Sequence, residues 1–127
     1  MEKTLQKILV IEDEKNINMT LKMMLTKAGY EVFLATDGLE GLNLAMETAP
    51  DLILLDLILP KMNGYLVCEA IREKWDKKEM PILIMSAKTQ KEDIDKAYQA
   101  GANTYITKPF SKDDILEQIK EYIPKEA

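Results

Sequence analysis

Histidine is missing altogether from this 127-residue chain. Without it the chain cannot carry a phosphohistidine of its own, use an imidazole as general base or build a His-rich metal site. Cysteine occurs once, at Cys68, which excludes an internal disulfide and fits a reducing compartment. As a single residue Cys68 reads as a small buried hydrophobe. Long apolar runs are lacking too. The longest, Leu52 to Leu59, is interrupted by Asp56 and falls well short of the roughly 20 residues that span a bilayer. Met1 to Lys7 carries no signal-peptide pattern, so a cytoplasmic protein without membrane contact is expected. Positive charge is in deficit, with 17 Lys and Arg against 22 Asp and Glu. No broad basic surface is left to neutralise nucleic-acid phosphates, and direct DNA binding is not expected.

What is present is the composition of a soluble globular protein, 46% hydrophobic and 31% charged. Its length suits one domain, residues 1–127, able to bury a core without disulfides or a structural metal. Short apolar runs alternate with stretches of helical period, the pattern of repeated βα units on a parallel sheet. Strands are expected at Ile8–Ile11, Glu31–Ala35, Leu52–Leu55, Ile82–Met85 and about Asn103–Ile106. The first helix, Glu14 to Ala28, places Ile17, Leu21, Met24, Leu25 and Ala28 on one face and stops at Gly29. The spacing in Asp37-Gly38-Leu39-Glu40 and Thr89-Gln90-Lys91-Glu92 predicts capping-box starts, and Ser111 predicts a cap for the last helix. Trp75 to Glu79 reads as a polar, solvated return. The whole chain is accounted for as (βα)₅, an α/β fold with a doubly wound five-stranded parallel sheet.

Four polar side chains, Asp13, Asp56, Ser86 and Lys108, follow the apolar runs directly, and an open parallel sheet gathers such positions along one edge. Glu12 and Asp13 with Asp56 put three acids in one cleft. Carboxylates that close repel one another by an amount on the order of several kcal/mol unless a cation intervenes. A hard divalent ion, Mg²⁺, suits oxygen donors, whereas soft metals call for His or Cys. Asp56 follows a central strand, exposed to the cleft and backed by apolar packing, which is a position for a nucleophile attacking phosphorus. Lys108 can bring an ammonium and Ser86 a hydroxyl to phosphate oxygens, and Ala87 leaves room for the approach. Singly, each has an ordinary reading: Glu12 or Asp13 as a helix cap, Ser86 as loop chemistry, Lys108 as a solvated turn lysine. Those readings would have to coincide at four separate strand ends.

With these residues in order, the chain resembles a two-component response-regulator receiver domain of the single-domain kind, from Lys7 to Ile123. Ile8 to Glu14 resembles that family's first strand and acidic cluster. Pro50 to Asp56, through Leu59-Pro60 to Gly64, resembles its phosphoacceptor segment. Pro81 to Ala87 resembles the fourth strand and switch hydroxyl, Gly101-Ala102 the turn into the fifth strand, and Lys108-Pro109-Phe110 the lysine turn. The resemblance implies a flavodoxin-like strand order of 2-1-3-4-5, with Asp56 as phosphoacceptor. It implies Mg²⁺ held by Asp13, Asp56 and the backbone carbonyl of Ile58, with Glu12 acting through water and Mn²⁺ as a substitute. The family more often has Asp where Glu12 stands. Lys108-Pro109 would be a cis peptide, which proline makes accessible. Ser86 and Tyr105 would shift on phosphorylation and change the face of the fourth helix, fifth strand and fifth helix, unless Tyr105 is only a rim aromatic. Ile58 and Lys88 would influence how long the acyl phosphate survives.

The function implied is a signalling switch, not an enzyme beyond its own aspartyl phosphorylation and dephosphorylation. Its partners would be a histidine kinase or His phosphotransfer protein and a downstream protein target, with the chain a monomer or a phosphorylation-dependent dimer. The alternative is a metal-dependent phosphatase with an aspartyl nucleophile. Such enzymes want a second acid two residues after the nucleophile, where this chain has Ile58. A flavin mononucleotide carrier would need donors in its first loop, but Glu12-Asp13-Glu14 repels phosphate. A P-loop is absent.

Overall fold

The structure is a computed structural model and describes residues 5–124. Strands and helices alternate along it: β1 (Lys7–Ile11), α1 (Lys15–Lys27), β2 (Glu31–Ala35), α2 (Gly38–Thr48), β3 (Leu52–Asp56), α3 (Gly64–Arg72), β4 (Ile82–Ser86), α4 (Lys91–Gln99), β5 (Thr104–Thr107) and α5 (Lys112–Tyr122). The strands form one parallel sheet in the order β2-β1-β3-β4-β5, as the resemblance implies. Register brings Ile11 level with Leu55, Asp56 with Met85 and Ser86 with Thr107. The carboxyl ends of the three middle strands therefore finish near one line, where loops lift polar residues above the sheet.

Alternation along the strands builds two cores. Ile8, Val10, Leu52, Leu54, Leu83, Met85 and Ile106 pack with Leu21 and Leu25 of α1 and Ile115 and Ile119 of α5. Leu9, Ile11, Ile53, Leu55, Ile82 and Ile84 face Ala45, Val67, Cys68, Ile71 and Ala97 of the other helices. Both faces being covered explains why β3 and β4 are apolar throughout rather than alternating. Each fully buried Leu or Ile contributes about 1.5–3 kcal/mol relative to an exposed one.

The ends of the elements follow local chemistry. Gly29 at φ 98° and Gly101 at φ 111° stop α1 and α4 in the left-handed region that suits glycine. Ser111 caps α5 through a capping box closed by Asp114. Several boundaries depart from expectation. Asp56 is the last residue of β3 rather than the first of a loop, and β5 lies one residue later than expected. The N-cap of α4 is Gln90, not Thr89, and no side chain caps that helix. Asp37 caps α2 as expected, but the Glu40 carboxylate accepts from Thr36 N–H rather than from the N-cap itself. In the polar return, Trp75 packs against the core and Arg72 anchors the segment. The Arg72 guanidinium donates to the carbonyls of Gly101, Trp75, Asp76 and Met80 and to Asn103 Oδ1. It thereby ties the end of α3 to the turn before β5, at the edge of the sheet opposite the acidic residues.

Two consequences can be measured. Gly64 opens α3 directly beneath Asp56, where an added Cβ would stand 2.4 Å from the Asp56 carbonyl oxygen and 2.7 Å from Leu57 Cα. Backbone cannot yield as a side-chain tip does, so Gly64→Ala is expected to cost about 1–3 kcal/mol in urea unfolding. Burial pushes the Cys68 thiol up to about 11 from 9.0. The folded state therefore holds a proton that the unfolded chain releases, and the associated stability, complete below the lower value, is lost as pH rises through the upper one. At roughly pH 8, ionisation alone should make iodoacetamide alkylation of native Cys68 about 100-fold slower than that of the urea-unfolded chain.

Candidate functional site

The turn from β1 into α1 sets Glu12 and Asp13 above the sheet. Glu12 N–H donates to Ala35 O at 3.0 Å, which fastens the turn to the end of β2. The Glu12 side chain is wholly buried, whereas Asp13 is exposed. Next to them, at the end of β3, Asp56 keeps 6% of its surface in contact with solvent. One carboxylate oxygen from each of Glu12, Asp13 and Asp56 lies within 4.8 Å of the others.

Lys108, just past β5, supplies the cation among these acids. Its Nζ lies 2.5 Å from Glu12 Oε1 and 3.1 Å from Asp56 Oδ2. The remaining oxygens also have partners: Glu12 Oε2 accepts from Glu14 N–H at 3.1 Å and Asp56 Oδ1 from Ile58 N–H at 3.3 Å. Burial is the largest influence on the Lys108 ammonium and lowers its pKa. The hydrogen bond to Glu12 and the charges of Asp56 and Glu12 together outweigh burial and hold the pKa above the ordinary lysine value. The stability from this pairing is complete below the unfolded lysine pKa and is lost as pH rises through the elevated one.

Three carboxylates against one ammonium leave the cluster two positive charges short, with oxygen donors only. That set fits a divalent hard cation such as Mg²⁺, which accepts carboxylate and carbonyl oxygens and retains waters. The exposed Asp13 is the carboxylate with the freest access.

Beside the acids lie the remaining residues singled out by sequence. Ser86, fully buried at the end of β4, accepts a hydrogen bond at Oγ from Lys88 N–H, while its carbonyl accepts from Lys108 N–H. Tyr105 is half-buried against the core, and its hydroxyl donates to the Lys88 carbonyl at 2.8 Å. Burial raises its pKa, a hydrogen bond with the Ser86 side chain works against that rise, and the charges of Asp93 and Asp56 add to it. Ser86, Lys88 and Tyr105 are thus one connected unit across β4 and β5. Ala87, next to Ser86, is exposed. The Ile58 side chain points outward, 59% exposed, so only its backbone can serve the site. Lys108-Pro109 is cis, as expected.

Both oxygens of Glu12 are engaged within the protein, by Lys108 and by Glu14 N–H. One feature escaped the sequence reading. Asn18, buried on α1, donates its side-chain amide to the Glu12 carbonyl. The signal was available, since Asn18 interrupts the stripe that continues through Leu21 and Leu25 at helical spacing.

A doubly wound sheet with an acidic, lysine-bridged carboxyl edge defines a class of α/β proteins built to hold a hard cation beside a buried-strand carboxylate. A family model described as the response regulator receiver domain matches residues 8–120, and the chain belongs to that family, the receiver domains of two-component systems. The transcriptional regulator RpaA of Synechocystis is 38% identical over 114 residues, which is 90% of this chain and 47% of that protein. The chain therefore spans about half the length of this curated relative. The chemotaxis protein CheY4 of Vibrio cholerae superposes with a TM-score of 0.87 at 30% identity, covering 94% of this chain and 99% of that one. The receiver domain of the sensor histidine kinase PA1611 from Pseudomonas aeruginosa matches with the same TM-score, 0.87, and 30% identity over 96% of this chain and 100% of its own. That domain was solved with a magnesium ion coordinated in its active site cleft. Among the described residues no helix is long and apolar enough to cross a membrane.

The bridging lysine competes with a divalent cation for the same carboxylates. Lys108→Met is expected to destabilise the metal-free protein by about 1–3 kcal/mol, because buried Glu12 loses a partner. The same change should tighten Mg²⁺ binding, and added Mg²⁺ should restore the lost thermal stability. Calorimetric titration and melting curves check both; weaker Mg²⁺ binding in the variant would refute the competition.

Proposed function

We propose that Asp56 accepts a phosphoryl group from the phosphohistidine of a histidine kinase or His phosphotransfer protein. A carboxylate oxygen of Asp56 attacks phosphorus, an acyl phosphate bond forms, the P–N bond breaks and the donor imidazole leaves with its electron pair. The observation that carries this reading is the position of Lys108 between Glu12 and Asp56. An ammonium already bonded to the acceptor carboxylate needs only a short shift to neutralise an oxygen of the incoming phosphoryl group. Asp13, Asp56 and the Ile58 carbonyl would hold Mg²⁺, with Glu12 acting on it through water. When bound, Mg²⁺, or Mn²⁺ in its place, offsets negative charge on the attacking and phosphoryl oxygens.

The product brings about two negative charges and new acceptors to the edge of the sheet. The Ser86 hydroxyl can donate to one phosphoryl oxygen, giving up the hydrogen bond it accepts from Lys88 N–H. Tyr105, held to the Lys88 carbonyl, follows that exchange. The segment downstream is lightly fastened: among residues of α4 only Ala97 is buried, and no side chain caps the helix. Phosphorylation can therefore change the α4–β5–α5 face by contacting one packing better than the other. Output on this reading is contact with a downstream protein, or self-association, in the cytoplasm. The chain catalyses only its own aspartyl phosphorylation and dephosphorylation. Ile58 and Lys88, the latter 3.7 Å from Asp93, tune how long the acyl phosphate lasts.

Intact-mass spectrometry tests this directly. Acetyl phosphate with Mg²⁺ should add one phosphoryl group, none should be added after chelation, and Asp56→Asn should abolish incorporation. Phosphate found on Ser86, or full incorporation into the Asn variant, would overturn the assignment.

A further inference from the structure

The acidic turn Glu12-Asp13-Glu14 holds three consecutive like charges, and α1 begins there without a side-chain cap. Repulsion alone would open such a turn, so something must hold its backbone. Glu12 N–H is held by Ala35 O, and the Glu12 carboxylate by Lys108 and Glu14 N–H. Its carbonyl is buried with the residue, and among the described hydrogen bonds the donor that serves it is the Asn18 side-chain amide. Asn18 is itself 4% exposed and stands in the first turn of α1, one turn ahead of the buried Leu21. Its own Oδ1 is buried and finds no donor among the described residues. A polar side chain kept in such a place at the expense of an unserved oxygen calls for a reason beyond stability.

We propose that Asn18 is a positioning residue for the cation site: by pinning the Glu12 carbonyl, it fixes the direction in which the next residue, Asp13, presents its carboxylate. Outer partners of this kind orient metal-binding groups without touching the metal. The proposal rests on the reading of Glu12, Asp13 and Asp56 as a Mg²⁺ site.

The test separates positioning from mere stability. Asn18→Leu keeps the branched shape at Cγ and removes two groups at once: the donor to Glu12 and the unserved oxygen. Loss of the first costs stability and loss of the second returns it, so the melting temperature in chelator should stay close to that of the parent. Mg²⁺ binding, read by calorimetric titration, should weaken roughly tenfold. Hydrogen exchange at Glu14 N–H in the metal-free protein should quicken, since the turn that bonds it to Glu12 loosens. Asp13→Asn serves as the control that should lose Mg²⁺ outright. If the parent protein fails to bind Mg²⁺, the metal-site reading falls and this proposal with it. If the parent binds and Asn18→Leu binds equally well, the site stands and the positioning role is wrong. Parallel loss of melting temperature and affinity would make Asn18 a structural residue only.

Discussion

The Lys108 ammonium between Glu12 and Asp56 is the interaction on which the functional edge depends. It joins the ends of β1, β3 and β5, residues separated by 96 and 52 positions in the chain. Three carboxylates could not share this space unneutralised, and a buried glutamate could not remain ionised without a partner. One cation settles part of that charge, and the remaining deficit suits a second, divalent one. Lysine suits the task because its charge sits on a flexible stem and can shift among neighbouring oxygens. A guanidinium fixed in a bidentate fork would bind them more rigidly and exchange less easily.

The rest of the fold serves to bring those ends together. Two apolar faces on one sheet press the helices from both sides, and the parallel register leaves the carboxyl ends of the strands in a row. Gly64 lets α3 start close beneath Asp56, and Ala35 receives the hydrogen bond that ties the acidic turn to the edge. The site is therefore backed by the most deeply buried part of the molecule. Packing is sparser at α4, where Ala97 is the one buried residue and attachments are mostly polar: Tyr65 donates to the Asp93 carbonyl, Lys96 lies over the Tyr65 ring and Lys88 pairs with Asp93. Contacts of this kind exchange with water at small cost, unlike packed methyl groups.

Much of this was legible from residue order. The strand runs around Val10, Leu54 and Ile84 announce a buried parallel sheet because both their faces are apolar, and polar residues at their ends then have one place to go. Helix starts are less legible. Thr89 looks like a cap by spacing, but the backbone enters α4 at Gln90, and loop geometry outvotes the residue's preference. Glu12 illustrates a deeper limit. Its charge marks it as part of the acidic edge, yet whether a carboxylate faces a metal or a lysine depends on tertiary distances that local pattern does not encode. Asn18 carries only a weak mark, since a single amide on a helix says little until the carbonyl it serves is known.

Arg72 gives the opposite edge of the sheet a different character. All its bonds run to neutral acceptors, four carbonyls and an amide oxygen, and none to a carboxylate. None of those acceptors carries a charge, so the contacts of Arg72 leave no anionic deficit there, in contrast to the acidic end around Lys108.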